Sequence, residues 1–132
     1  MITDYLQVKT EGKILKAAPK GFWSDTITAK YGDELLTTFK NGVDSFGGSP
    51  FVVLADMSKF KQPTENGKNI IGQMMEHAAK NGMHKAVEIL ERNMMKVALD
   101  ATAKDKIEEG GRIIVGSYDE GLDKANAIVK EM

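Results

Sequence analysis

Any chemistry in this chain must be assembled from few parts. Two of its 132 residues are histidine and none is cysteine. Disulfides, thiolate nucleophiles and cysteine-ligated zinc are therefore excluded. His77 and His84 stand on either side of an Asn81-Gly82 helix stop rather than one helical turn apart, so they do not form a helical metal pair. Both read as structural, His77 at the edge of an apolar helix stripe and His84 where a strand begins. Serine fares no better. Gly116-Ser117-Tyr118-Asp119-Glu120-Gly121 lacks the Gly-x-Ser-x-Gly spacing of a nucleophile elbow, and Ser117 with Glu120 fits a helix capping box. No phosphate-binding glycine loop follows a strand; Gly47-Gly48 and Gly110-Gly111 precede strands and read as connectors. Glu108-Glu109 and Asp119-Glu120 fall in loop or first-turn positions, where solvent and the helix dipole explain them. The sequence predicts no catalytic residue, no metal and no cofactor.

What remains is a binding surface. Asp56 ends the most apolar strand of the chain, where a parallel sheet opens toward a ligand crevice. The same edge collects Ser58, Lys59, Lys61, Thr64 and Glu65 after that strand, Arg92 after the next, and Ser117 with Tyr118 after the last. Helix N-termini and lysines converging on one rim favour an anionic ligand or a phosphorylated partner. Each residue also has a local explanation: Asp56 can bond to its own loop, Thr64 and Ser117 can cap helices, and the lysines can be solvated charges. Eight methionines, with Met74-Met75 and Met94-Met95 on successive helices, suit either core filling or an adaptable apolar surface. Trp23 beside Phe22 reads as packing, although an exposed pair would mark an interface.

These residues need a scaffold. Tyr5 to Val8 and Lys13 to Ala18 flank Thr10-Glu11-Gly12 and predict a hairpin. Ser24 or Asp25 opens a helix to Phe46 with a stripe of Ile27, Tyr31, Leu35, Phe39 and Val43, weakened by about 1 kcal/mol at each of Gly32 and Gly42. Phe51-Val-Val-Leu-Ala is a strand buried on both faces. Thr64 then caps a helix carrying Ile70, Ile71, Met74, Met75 and Ala78. Strands follow at Lys85 to Leu90 and Arg112 to Val115, with a helix from about Asn93 between them and a last one through Leu122, Ala125, Ile128 and Val129. The order β-β-α-β-α-β-α-β-α predicts a single α/β domain over residues 1–132, a mostly parallel sheet with an antiparallel N-terminal hairpin. Eighteen basic residues against nineteen acidic ones give a net charge of −1, which argues against a nucleic-acid binder. The absence of a leader or a long apolar run predicts a cytoplasmic protein without stable membrane insertion.

The element order, with Phe51-Val-Val-Leu-Ala-Asp56-Met57-Ser58 and the helix after it, resembles the STAS-like (SpoIIAA-like) family, and among its members the small stand-alone prokaryotic proteins of unassigned activity. That is the fold of anti-sigma-factor antagonists and of cytosolic domains on sulfate transporters. In the antagonists an Asp-Ser-Ser-Gly segment opens the helix after this strand and carries the phosphorylated serine. It falls here on Thr64-Glu65-Asn66-Gly67, where the glycine is kept and both serines are replaced. The resemblance implies a non-enzymatic regulatory domain that binds a protein partner or its own copy through Asp56 to Thr64 and the next helical turn. A likeness to lipid-binding CRAL-TRIO domains leaves an alternative: a carrier or sensor of a small amphipathic anion, its head group near Lys59 or Arg92 and its tail between methionine-bearing helices.

Overall fold

A computed structural model describes residues 2–90 and 111–132. The helix expected from Asn93, with Met94 and Met95, lies outside the described residues, as does Arg92. A five-stranded sheet runs in the order β1 (Leu6–Glu11), β2 (Ile14–Pro19), β3 (Phe51–Asp56), β4 (Met83–Ile89) and β5 (Arg112–Val115). β1 and β2 are antiparallel and every later pair is parallel, as the sequence predicts. The hairpin turn is tighter than expected. Glu11 pairs with Ile14, leaving a two-residue Gly12-Lys13 turn, and only Gly12 takes a positive φ, +57°. Glycine at the first central position suits a turn whose twist matches the strands it joins.

Among the described residues three α-helices pack on the sheet: α1 (Asp25–Asp44) and α2 (Glu65–Lys80) on one face, α3 (Tyr118–Glu131) on the other. Strand alternation divides the core accordingly. Leu15, Phe51, Val53 and Ala86 meet Leu35, Phe39 and Val43 of α1 and Ile71, Met74, Met75 and Ala78 of α2. Val52, Leu54, Val87, Ile89 and Val115 meet Ala125 and Ile128 of α3. β3 feeds both layers, which is why its sequence lacks polar alternation.

Helix α1 stops at Asp44, two residues before the expected end, because the chain turns through Gly47 and Gly48 at φ +60° and +87°. Phe46 still packs, stacking on Phe51 at 4.6 Å with the rings 3° apart. Gly42 is more than a weak helix former: a Cβ there would stand 2.8 Å from Leu15 Cδ1 and 2.9 Å from Val8 Cγ1, so its hydrogen lets α1 lie close on the hairpin. At the far end of α1, Asp44 Oδ1 and His77 Nε2 of α2 are 2.8 Å apart, a tie between helices that agrees with the structural reading of His77. On the α3 side of the hairpin, Lys16 hydrogen-bonds to Glu11 and holds its carboxyl below the usual carboxylate range. Such a depressed acid favours the fold above its unfolded value and loses that contribution as pH falls through the lower folded one.

One pair escaped the sequence analysis. Glu88 of β4 is 6% exposed, and Arg112 of β5 donates to both of its carboxylate oxygens from Nε and Nη2, the latter at 3.0 Å. The register that sets Ala86 against Arg112 places the two side chains diagonally on one sheet face. Removing one partner from a buried ion pair leaves an uncompensated charge, whereas replacing both is often close to neutral. We therefore expect Arg112→Met to lower unfolding stability by about 3–5 kcal/mol in urea denaturation, and the Glu88→Met/Arg112→Met double variant to recover most of that loss.

Candidate functional site

The C-terminal edge of the parallel strands is where the sequence gathers its candidate residues, and the structure shows how two loops there are joined. After β2 the chain runs Lys20-Gly21-Phe22-Trp23 into α1; after β3 it runs Met57 to Thr64 into α2. The Gly21 N–H donates to Lys59 O and the Lys61 N–H to Gly21 O, each at 3.0 Å, a parallel bridge that carries the β2–β3 pairing past the sheet. Gly21 takes φ +68° to make this close approach.

Beneath the bridge lies Trp23, 0% exposed. Its indole Nε1 donates to Tyr5 O at 3.1 Å, and its ring meets Phe60 edge-on at 5.0 Å. Burying so large a side chain is favourable only because its one polar hydrogen finds an acceptor. Trp23 is thus a packing residue, as expected, but its neighbour Phe22 points outward and is 45% exposed.

Both helices start from this clamp. Ser24 caps α1 by accepting from the Ile27 N–H at 3.2 Å. Thr64 accepts from the Gly67 N–H at 3.5 Å while its own hydroxyl donates to Trp23 O at 3.2 Å, so one side chain caps α2 and ties it to the root of α1. Asn66 Nδ2 adds a bond to Asp25 Oδ1 at 3.1 Å. Gly67 makes the approach possible: a Cβ would lie 2.8 Å from Pro63 Cβ and 3.2 Å from Trp23 O.

Asp56 behaves as the local reading has it. Its Oδ1 accepts from the Ser58 N–H at 3.1 Å and from the Ser58 hydroxyl at 2.6 Å, closing the turn that starts the loop. Lys59, Lys61 and Glu65 are exposed and have no ion-pair partner among the described residues. Ser117 caps α3, accepting from the Glu120 N–H at 3.2 Å, but the reciprocal half of the capping box shifts by one residue, with Glu120 Oε2 accepting from the Gly116 N–H at 3.4 Å. It lies at the end of β5, two strands from β3 and at the root of the opposite helix layer. Asp56, Ser58, Lys59, Lys61, Thr64 and Glu65 therefore share one rim, Ser117 stands apart, and Arg92 lies outside the described residues. The sequence reading weighed Phe22 with Trp23 as packing or an interface pair and Asp25 as a helix cap, but it missed that the Lys20-to-Asp25 segment is joined to the β3–α2 loop. Parallel pairing of β2 with β3 was the available signal, since it obliges α1 to begin at the same edge as α2.

Met74 and Met75 are buried in the core between α2 and the sheet, so on α2 the methionines fill space. Among the described residues no group of three or more histidine, cysteine or acidic side chains could hold a metal ion. No helix among them is long and apolar enough to cross a membrane.

This architecture is the STAS-like (SpoIIAA-like) fold. An anti-sigma factor antagonist from Mycobacterium paratuberculosis is 16% identical over 92% of each chain, with a TM-score of 0.58. The anti-sigma factor antagonist SpoIIAA in its unphosphorylated form is 10% identical over 92% of this chain and 97% of its own, with a TM-score of 0.60. The phosphorylated form of SpoIIAA, a Bacillus cell fate determinant, is 9% identical over 90% and 97%, with a TM-score of 0.57. No protein-family model and no curated protein matches the sequence.

The junction at Gly67 makes a stability prediction. Gly67→Ala should destabilise the protein by about 1–2 kcal/mol in urea unfolding, the clash with Pro63 and Trp23 outweighing the roughly 1 kcal/mol helix-propensity gain of alanine. Thr64→Ser, which keeps the hydroxyl, should cost less than half of what Thr64→Ala costs, about 1 kcal/mol.

Proposed function

We propose that this chain is a non-enzymatic, cytoplasmic regulatory domain that binds a protein partner through the rim formed by Asp56 to Thr64, the first turn of α2 and the adjoining Lys20-to-Asp25 segment. The supporting observation is the cross-linking of those segments: a backbone bridge at Gly21, the Thr64 hydroxyl on Trp23 O, and Asn66 on Asp25. Surface loops ordinarily move independently. These are held to one another from below, so that Lys59, Lys61, Glu65 and Phe22 stand on a fixed base. Preorganisation of this kind lowers the ordering cost of association.

The segment at the start of α2 also bears on regulation. Where the antagonists of this fold carry serine, this chain has Glu65, exposed, and Asn66, committed to Asp25. Thr64, the remaining hydroxyl, is engaged as both donor and acceptor. We infer a constitutive binding face, with the fixed charge of Glu65 where a phosphorylatable residue would otherwise alternate between two charge states. The alternative of a carrier for a small amphipathic anion has the weaker support, since Met74 and Met75 are spent on core packing.

A photo-crosslinking residue at Lys61 should capture a discrete partner in the native host, identified by mass spectrometry, while the same residue at Lys130 on α3 should not. For that partner, Lys61→Glu with Glu65→Lys should weaken binding at least about tenfold and leave the thermal midpoint within about 2 °C, since exposed charges contribute little to folding. Unchanged affinity in the double variant would refute the rim as the binding face.

A further inference from the structure

We propose that Asn81 is a site of spontaneous covalent modification: the Gly82 nitrogen closes on the Asn81 side chain, and hydrolysis of the resulting ring leaves aspartate or isoaspartate at the corner where α2 passes into β4. The inference is independent of the rim, which lies at the other end of α2.

The chemistry needs an asparagine followed by a residue without a side chain, so that the backbone nitrogen can reach the side-chain carbonyl carbon. A bond forms between Gly82 N and Asn81 Cγ, the Cγ–Nδ2 bond breaks, and Nδ2 leaves as ammonia with the proton of the Gly82 N–H. Water then adds to one of the two ring carbonyls. Opening at Cγ gives aspartate; opening at the main-chain carbonyl gives isoaspartate, with one more carbon in the backbone. The sum is asparagine and water going to a carboxylic acid and ammonia.

Three Asn-Gly pairs occur, at 41–42, 66–67 and 81–82, and the fold distinguishes them. Asn41-Gly42 lies inside α1, where the Gly42 N–H belongs to the helical ladder. The Gly67 N–H is held by Thr64 Oγ1 at 3.5 Å, and Asn66 Nδ2 by Asp25. The Gly82 N–H is hydrogen-bonded to none of the described residues, so the attacking nitrogen is already free. Asn81 follows the last residue of α2 at φ −121° and ψ 27°, and Gly82 takes φ +108°. In that arrangement the Gly82 nitrogen is turned away from the Asn81 side chain. A flip of the peptide unit between them turns it toward the side chain and moves Gly82 to a negative φ, which glycine adopts as readily as a positive one. The bond that must break first runs from Asn81 Nδ2 to His77 O, 2.8 Å. Packing also keeps the reactive pair in place, since a Cβ at Gly82 would stand 2.9 Å from Ser49 O and 3.0 Å from Gly48 O.

The product loosens the corner. A carboxylate cannot donate to His77 O, and it sets negative charge at the C-terminal end of α2, where the helix dipole disfavours it. Isoaspartate also displaces Gly82, whose carbonyl accepts the Phe51 N–H at 3.1 Å where β3 begins.

The full chain, aged in mildly alkaline buffer, can be digested and mapped by mass spectrometry, with isoaspartate quantified by enzymatic carboxyl methylation. Each rate is divided by that of the same pair in a chain unfolded with guanidinium. On this scale Asn81 should react at least about tenfold faster than Asn41 or Asn66, because protection follows the free energy of local opening. Asn81→Gln should abolish the early product. In the aged chain amide exchange at Phe51 should quicken, while exchange at Gly21 on the rim stays as it was. An Asn81 that survives ageing intact, or modification that begins at Asn41 or Asn66, would overturn the site; an unchanged Phe51 amide in the isoaspartate form would overturn the loosening.

Discussion

The indole of Trp23 is the point on which the proposed binding end of this protein depends. It is wholly buried, its single polar hydrogen is bound by Tyr5 O, and its face receives Phe60 from the loop that follows β3. Its own carbonyl holds the Thr64 hydroxyl. One residue thereby connects the N-terminal segment, the root of α1, the β3–α2 loop and the cap of α2. An indole in such a place contributes apolar burial of the order of a few kcal/mol and, because its hydrogen bond is directional, fixes orientation as well as proximity. The bridge at Gly21 and the close contact at Gly67 belong to the same junction but need glycine for different reasons: Gly21 for its φ of +68°, Gly67 because a Cβ there would stand 2.8 Å from Pro63 Cβ and 3.2 Å from Trp23 O.

From that constraint the functional reading follows in steps. Parallel pairing brings the starts of α1 and α2 to one sheet edge; the indole and its partners fuse the two loops there; the fused loops hold charged and apolar side chains outward on a rigid base. Among the described residues this arrangement brings no nucleophile, base and orienting group into one place. The recognition role proposed above draws on the preorganised rim, and the fold is one in which antagonists of anti-sigma factors are also built.

Much of this was legible in the sequence. The run Phe51 to Ala55 announced a strand buried on both sides, the spacing of Leu35, Phe39 and Val43 announced a helix, and Gly12 announced a hairpin, because each depends on local periodicity or on the conformation one residue type prefers. The identity of Thr64 as a cap was legible for the same reason. What could not be read was whatever depends on register between distant segments. The pairing of Glu88 with Arg112 requires knowing that β4 and β5 align Ala86 with Arg112. The engagement of Thr64 with Trp23 O spans 41 positions, as does that of Asn66 with Asp25. Phe22 and Trp23 are adjacent and chemically alike, yet one is buried and the other projects; only the pairing of Gly21 with Phe60 decides which.

The central claim is that the two loops at the sheet edge form one rigid unit built around Trp23. Amide hydrogen exchange at Gly21 and Lys61, the two N–H groups that cross between the loops, measures this most directly. If the unit is rigid, both amides should exchange as slowly as those of β3 despite lying outside the regular strands, and Trp23→Leu should accelerate both together. Exchange at the rate of an unstructured peptide in the unaltered protein, or independent behaviour of the two sites, would contradict the account.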